Sequence, residues 1–220
     1  MSLDRQLQEA VLAQLQWEPD ITAAHIGVAA DNGIVTLTGH VPGYHEKHAA
    51  ETAAARVNGV KAVAQKIEVL LPVQTQRSDE DIARAAVDRL AWESAIPRDA
   101  IKVKVEEGWV TLSGTVPWHY QRDAAERLLQ GLYGIVGITN LTTIEPRPDA
   151  GNIGHDIDTA LHRGWLDPKT ITVSVDGGCV KLTGTVQTPD DRLRAASAAW
   201  ASPGTTEVKN ELVVIGRSGL

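Results

Sequence analysis

The sequence predicts an α+β protein made of three tandem αββαβ modules. Each module is a three-stranded mixed sheet with two helices on one face. Three observations predict this: a Gly-rich strand phrase that occurs three times, period-two apolar alternation around it, and helical apolar spacing before and after it. The phrase reads Gly33-Ile34-Val35-Thr36-Leu37-Thr38-Gly39-His40-Val41, and it returns from Gly108 to Val116 and from Gly178 to Val186, at offsets of 75 and then 70 residues. The same offsets relate Ile26, Ile101 and Ile171, as well as Val63, Ile138 and Val208. From first strand to last the copies align without a gap, and the modules are bounded at 1–72, 77–146 and 150–216.

Each copy opens with a helix. Leu7, Val11 and Leu15 recur at i, i+4 and i+8, as do Ile82, Ala86 and Leu90, then Ile153, Ile157 and Leu161. Ser78 and Asp81 form a capping-box-like start, so the acidic run Asp79-Glu80-Asp81 reads as a favourable helix entry. Each helix ends near a proline, and the tryptophan at its end (Trp17, Trp92 or Trp165) is expected to close over the core.

Strand one alternates, with Ile101, Val103 and Val105 facing one way and Lys102 and Lys104 the other. The turns Asp31-Asn32-Gly33, Glu106-Glu107-Gly108 and Asp176-Gly177-Gly178 signal hairpins, because Asn-Gly and Gly-Gly tolerate positive φ. By parity Gly39, Gly114 and Gly184 share the apolar side of strand two, which predicts that a helix approaches the sheet there. Gly59, Gly134 and Gly204 recur before strand three and join this structural set. The second helix carries an alanine-rich face, Ala50 and Ala54 or Ala125 and Leu129, suited to lying close on a sheet. It acts as the crossover that makes strand three parallel to a neighbour. The amides Gln65, Asn140 and Asn210 at the centre of strand three are expected to bond a nearby loop backbone.

Composition narrows function. The chain has 220 residues and a formal net charge of −7. Its three segments carry 5 basic against 8 acidic residues, 8 against 11, and 8 against 9, so none has the basic surface that nucleic acid requires. The same balance opposes simple adhesion to anionic lipid. A single cysteine, Cys179, rules out an internal disulfide and fits a reducing compartment. No apolar run is long enough for a transmembrane helix. The N-terminus enters a helical pattern with no signal-peptide core, so the expected location is cytoplasmic, or periplasmic if a leader has been removed.

The phrase Gly-x-Val-x-Leu-Ser/Thr-Gly-x-Val, followed by a helix, a Gly and a Val-x-Asn strand, resembles the BON domain (bacterial OsmY and nodulation). The strongest stretches are Gly108 to Gly114, Trp118-His119-Tyr120-Gln121-Arg122-Asp123, and Ala199 to Gly204 with Glu207-Val208-Lys209-Asn210. With three copies the chain is similar to the multi-BON, OsmY-like proteins of bacteria. The resemblance implies a non-enzymatic module of osmotic or envelope stress that binds phospholipid or other membrane-associated components. It also implies an alternative, a protein-interaction scaffold or potassium-responsive module without lipid affinity.

No P-loop, dinucleotide fingerprint, nucleophile elbow or metalloprotease motif is present, and no cofactor is expected. Cys179 stands in a strand where the other copies have Ile34 and Trp109, with no nearby activating base. His40, His45 and His48 cluster in copy one alone, and solvated surface is a better reading of them than a metal site. Candidate ligand-binding residues are Trp118, Tyr120 and Arg122, an aromatic-basic group that copies one and three lack, and Trp109. By parity Trp109 lies on the sheet face away from the helices, beside Thr111, Ser113, Thr139 and Leu141. Packing of a neighbouring repeat there, or of Trp118 and Tyr120 on their own helix, is the simpler alternative.

Overall fold

An amphipathic helix, a hairpin, a crossover helix and a parallel return strand recur along the chain. A computed structural model describes residues 3–146, 153–163 and 170–215 of it. In copy one, α1 (Leu3–Trp17) precedes the antiparallel strands β1 (Ile26–Asp31) and β2 (Ile34–Val41). Then α2 (Tyr44–Ala55) crosses over to β3 (Ala62–Val69), which runs parallel to β2 with Ile34 opposite Ala62 and Val41 opposite Val69. Strand two is therefore central. Its alternate residues Val35, Leu37 and Val41 are buried with Val11 and Leu15 of α1 and Ala50, Ala53 and Ala54 of α2. Small alanines let α2 settle closely on the sheet.

Copy three repeats this with α5 (Ile153–Arg163), β8 (Ile171–Asp176), β9 (Cys179–Val186), α6 (Pro189–Ala201) and β10 (Glu207–Val214). Its core joins Ile153, Ile157 and Leu161 to Val180, Leu182, Ala195, Ala199 and Leu212. The middle copy has α3 (Asp79–Trp92), β4 (Ile101–Glu106), β5 (Trp109–Val116), α4 (His119–Leu129), β6 (Gly137–Asn140) and β7 (Thr143–Ile144). Here the third strand is split, and β6 and β7 pair with successive parts of β5. The break falls at Leu141-Thr142, where a buried Thr142 replaces the Ile67 and Leu212 of the other copies.

Two compact units make up the chain. One comprises Met1–Glu93, Lys102–Leu112 and Glu126–Asn140; the other comprises Ser94–Ile101, Ser113–Ala125 and Leu141–Leu220. The boundary thus runs through the sequence of the middle copy.

Helix one is tied to its hairpin by a device the sequence reading missed. The Asp79 carboxylate accepts from the backbone N–H groups of Glu107 and Gly108, both at 2.8 Å. Asp4 does the same for Asn32, 75 residues earlier, at 2.8 Å. Those turns have two consecutive positive φ values, 51° and 88° at Asn32 and Gly33, which matches the right-handed strand twist and leaves N–H groups pointing outward. The acidic run is therefore more than a helix-dipole partner. Its Asp81 completes the expected cap, its N–H bonded at 3.2 Å to the Ser78 hydroxyl. Asp79→Ala should cost about 1.5–3 kcal/mol, the range for hydrogen bonds to a charged group. Urea denaturation of the full chain reads this as an earlier loss of helix signal.

Three expectations need correction. Trp17 and Trp92 do not close over the core; they are 83% and 89% exposed. Each lies two residues past a buried leucine, Leu15 or Leu90, and two residues turn a helix by about 200°, to its opposite side. Trp165 lies outside the described residues. The approach at Gly39, Gly114 and Gly184 comes not from either α-helix but from the chain entering strand one. A Cβ at Gly114 would stand 2.0 Å from the carbonyl oxygen of Ala100. These glycines also fall short of the core, Gly39 and Gly184 being exposed and Gly114 half-buried. Finally, the strand-three amides bond the second helix, not a loop. Gln65 donates to the Lys47 carbonyl at 3.2 Å, Asn210 to the Arg192 carbonyl at 2.9 Å, and Asn140 to the Glu126 carboxylate at 3.3 Å. Gln65 and Asn210 also accept from the backbone N–H two residues on, satisfying the outer side of an edge strand.

Candidate functional site

The second helix begins differently in each copy, because the residue at its third helical position does different work. In copy one the buried Glu46 carboxylate accepts from the backbone N–H of Thr22, fastening the loop before β1 to α2. In copy two the matching Gln121 is also buried, donates to the Ala95 carbonyl at 2.7 Å and accepts from the Trp118 N–H at 3.1 Å. In copy three Asp191 turns back on its own helix, completing a capping box with Thr188. Gln121 therefore fixes the backbone at Trp118, beside the exposed Tyr120.

Trp118 and Tyr120 lie with ring centroids 6.4 Å apart and planes tilted by 31°. Tyr120 is 53% exposed, whereas Trp118 and Arg122 are half-buried. His119, between the two aromatics, was not singled out from sequence. Its ring lies face to face with Trp200 of α6, centroids 3.8 Å apart and planes 19° apart, and its Nδ1 is 3.1 Å from the Asp123 carboxylate. Burial pushes the His119 imidazole below its ordinary value of 6.5, Asp123 opposes that, and Arg122 reinforces it. So the start of α4 offers an exposed Tyr120 ring beside the half-buried Trp118 and Arg122, and an imidazole packed on the next copy.

Trp109 belongs to the other unit. Its indole N–H donates to the Thr139 hydroxyl at 2.9 Å, and its ring lies over Gly137 so closely that a Cβ there would come within 2.5 Å of it. The indole is thereby held flat across β5 and β6 of its own sheet, and it remains 46% exposed. The neighbouring strand β6 of its own module thus holds it, through Thr139 and Gly137.

The histidines of copy one do not converge. His40 stacks on His25 with centroids 4.8 Å apart, and His48 faces Tyr44 at 6.4 Å. Among the described residues, no three His, Cys, Asp or Glu side chains are grouped to hold a metal. Cys179 is half-buried and unpaired in β9. A groove of about 700 Å³ in copy one is lined by Asp4, Leu7, Asn32, Asn58 and Lys61. Copy two places Arg77 over the Tyr133 ring at the matching position, 6.0 Å from its centroid. No helix among the described residues is long and apolar enough to cross a membrane.

Comparison with known proteins resolves the repeat. The BON domain family matches residues 3–70, 78–146 and 149–216. The chain belongs to the BON domain family. Among curated proteins it is similar to osmotically-inducible protein Y of Escherichia coli (strain K12), 28% identical over 141 residues, covering 62% of this chain and 70% of that protein. It also resembles an uncharacterized protein in the gshII 5' region of Anaplasma centrale, 51% identical over 45 residues, 20% of this chain and 30% of that one. Among solved structures, CdsD, a structural protein of the type III secretion system of Chlamydia trachomatis, aligns over 97% of this chain and 94% of its own, at 18% identity and a TM-score of 0.28. The PrgH periplasmic domain aligns over 92% of this chain and 98% of its own, at 11% identity and a TM-score of 0.22. At these scores the structural likeness carries no argument. The BON assignment rests on the family match, and the three αββαβ copies are its modules.

Proposed function

We propose that this BON protein is a non-enzymatic, stress-associated binding protein that contacts phospholipids or membrane-associated partners through its middle module. One observation carries the reading: Tyr120 stands outward beside Trp118 and Arg122 at the start of α4, in the copy that alone has these residues. Aromatic rings with a polar edge and an adjacent cation suit the wet boundary of a bilayer. Trp109, held flat and half-exposed, is a second contact of the same module. The stress association is supported by the similarity to an osmotically inducible protein.

Co-sedimentation with phosphatidylethanolamine–phosphatidylglycerol vesicles tests the reading. The intact chain is expected to pellet, and the Trp118→Ala, Tyr120→Ala double variant to bind roughly tenfold more weakly, as loss of an aromatic anchor does. Unchanged binding in the double variant would overturn the site, and absence of binding by the intact chain would overturn the lipid reading. The formal net charge of −7 favours one alternative, a protein-interaction scaffold or potassium-responsive module without lipid affinity. In that case the melting temperature should rise with potassium and not with sodium, or a protein partner should be retained in place of vesicles.

A further inference from the structure

The first residue of the second helix touches the following copy twice in this chain. In one unit, Tyr44 opens α2, its phenol oxygen is hydrogen-bonded by the backbone of Ile138 on β6, and Glu126 of α4 acts on it electrostatically. In the other unit, His119 opens α4, 75 residues on, and stacks on Trp200 of α6. The docking position is the same in both copies and the side chain is not. A phenol holds the first contact and an imidazole the second. The third copy has Pro189 at this position.

We propose that the His119–Trp200 contact is a proton-sensitive joint between the second and third copies, closed with a neutral imidazole and loosened by acid. The stack at 3.8 Å takes one face of the imidazole out of water, and the His119 side chain is only 20% exposed. An imidazolium in that position loses hydration. Two groups favour the charged form: the Asp123 carboxylate at 3.1 Å and the indole face itself. Burial, with Arg122 on the same side of the balance, outweighs them.

The other charges of the two helices offer no further counter-ion. On α6, Asp190 is paired with Arg194 at 2.7 Å, Asp191 accepts from the Thr188 N–H, and Arg192 donates to the Asn210 carbonyl. On α4, Glu126 accepts from Asn140, and Arg127 is exposed.

Apart from Trp200 the imidazole regains water and keeps Asp123, so it titrates higher there than in the stack, where burial lowers it. Between those two points the open form binds more protons, so the joint is at full strength above the open form's titration point and weakens as pH falls through the interval between them. Tyr44 behaves differently. Burial, then Glu126 and Glu51, push its phenol above the ordinary 10.0, against the Ile138 hydrogen bond, so it stays neutral throughout the same range. One junction is thus proton-sensitive and the other is not.

The full chain tests this by nuclear magnetic resonance. The His119 ring is titrated in the intact chain and in Trp200→Leu, with Trp200→Phe as the milder change, and the proton contact between His119 and Trp200 is followed with pH. We expect His119 to titrate below 6.5 in the intact chain and to move up towards that value in Trp200→Leu. The His119–Trp200 contact should fade between about pH 7 and pH 5. In His119→Gln the Trp200 signals should lose their pH dependence. A His119 midpoint at or above 6.5 would overturn the proposal. So would a midpoint unmoved by both Trp200 variants, or pH-dependent Trp200 signals that survive in His119→Gln.

Discussion

Replacing Gly114 with alanine should destabilise the middle BON module by at least about 3 kcal/mol, enough to unfold a module of this size. Two effects act together. The residue has φ of 135°, a conformation that an L side chain rarely adopts, and the new Cβ would stand 2.0 Å from the Ala100 carbonyl oxygen. No rotamer relieves a Cβ contact, so the chain entering strand one must move. That chain is the first turn of the sheet: the matching glycine in copy one, Gly39, pairs with Ile26, the first residue of β1, and Gly184 pairs with Ile171 in copy three. Moving it strips the opening rung of the hairpin. The proper control is Gly177→Asn. Gly177 has φ of 55° with nothing within 4 Å of its would-be Cβ, and copy one already has Asn32 there at φ of 51°. That change should fall within about 0.5 kcal/mol of the unaltered chain. Denaturant midpoints of the two variants decide the matter. Equal midpoints would mean that the carbonyl approach is not what demands glycine.

Leu37→Ala should cost about 3 kcal/mol, whereas Trp17→Ala should stay within about 0.5 kcal/mol, although it removes the larger side chain. Leu37 is fully buried at the centre of the first module, with Val11 and Leu15 of α1 and the alanines of α2 in the same cluster. Truncation leaves a cavity that a short sheet pinned by two helices cannot collapse into. Trp17 is 83% exposed, so little packing is lost with it. Thermal unfolding of both variants gives the comparison. A large loss at Trp17 would show that its ring shields the core after all.

Much of this was legible in the sequence. The three-fold recurrence of Gly-x-Val-x-Leu-Ser/Thr-Gly-x-Val, with alternation on both sides, determined the modules and the hairpins, because side-chain parity and turn chemistry are local properties. The buried faces followed for the same reason: Val35, Leu37 and Val41 recur as Val110, Leu112 and Val116. The exposure of Trp17 and Trp92 was legible too, from their two-residue offset past Leu15 and Leu90, had helical angle been preferred to hydrophobicity. Only the tertiary structure decided which groups meet across long separations. The Asp79 carboxylate reaching the Glu107 turn, the carbonyl over Gly114, the amides of strand three bonding the second helix, and His119 lying on Trp200 all join residues that no periodicity connects. Sequence patterns specify which face is buried; the direction of a polar group towards its partner is set when the copies pack, because a hydrogen bond or ring stack depends on distances that alternation does not encode.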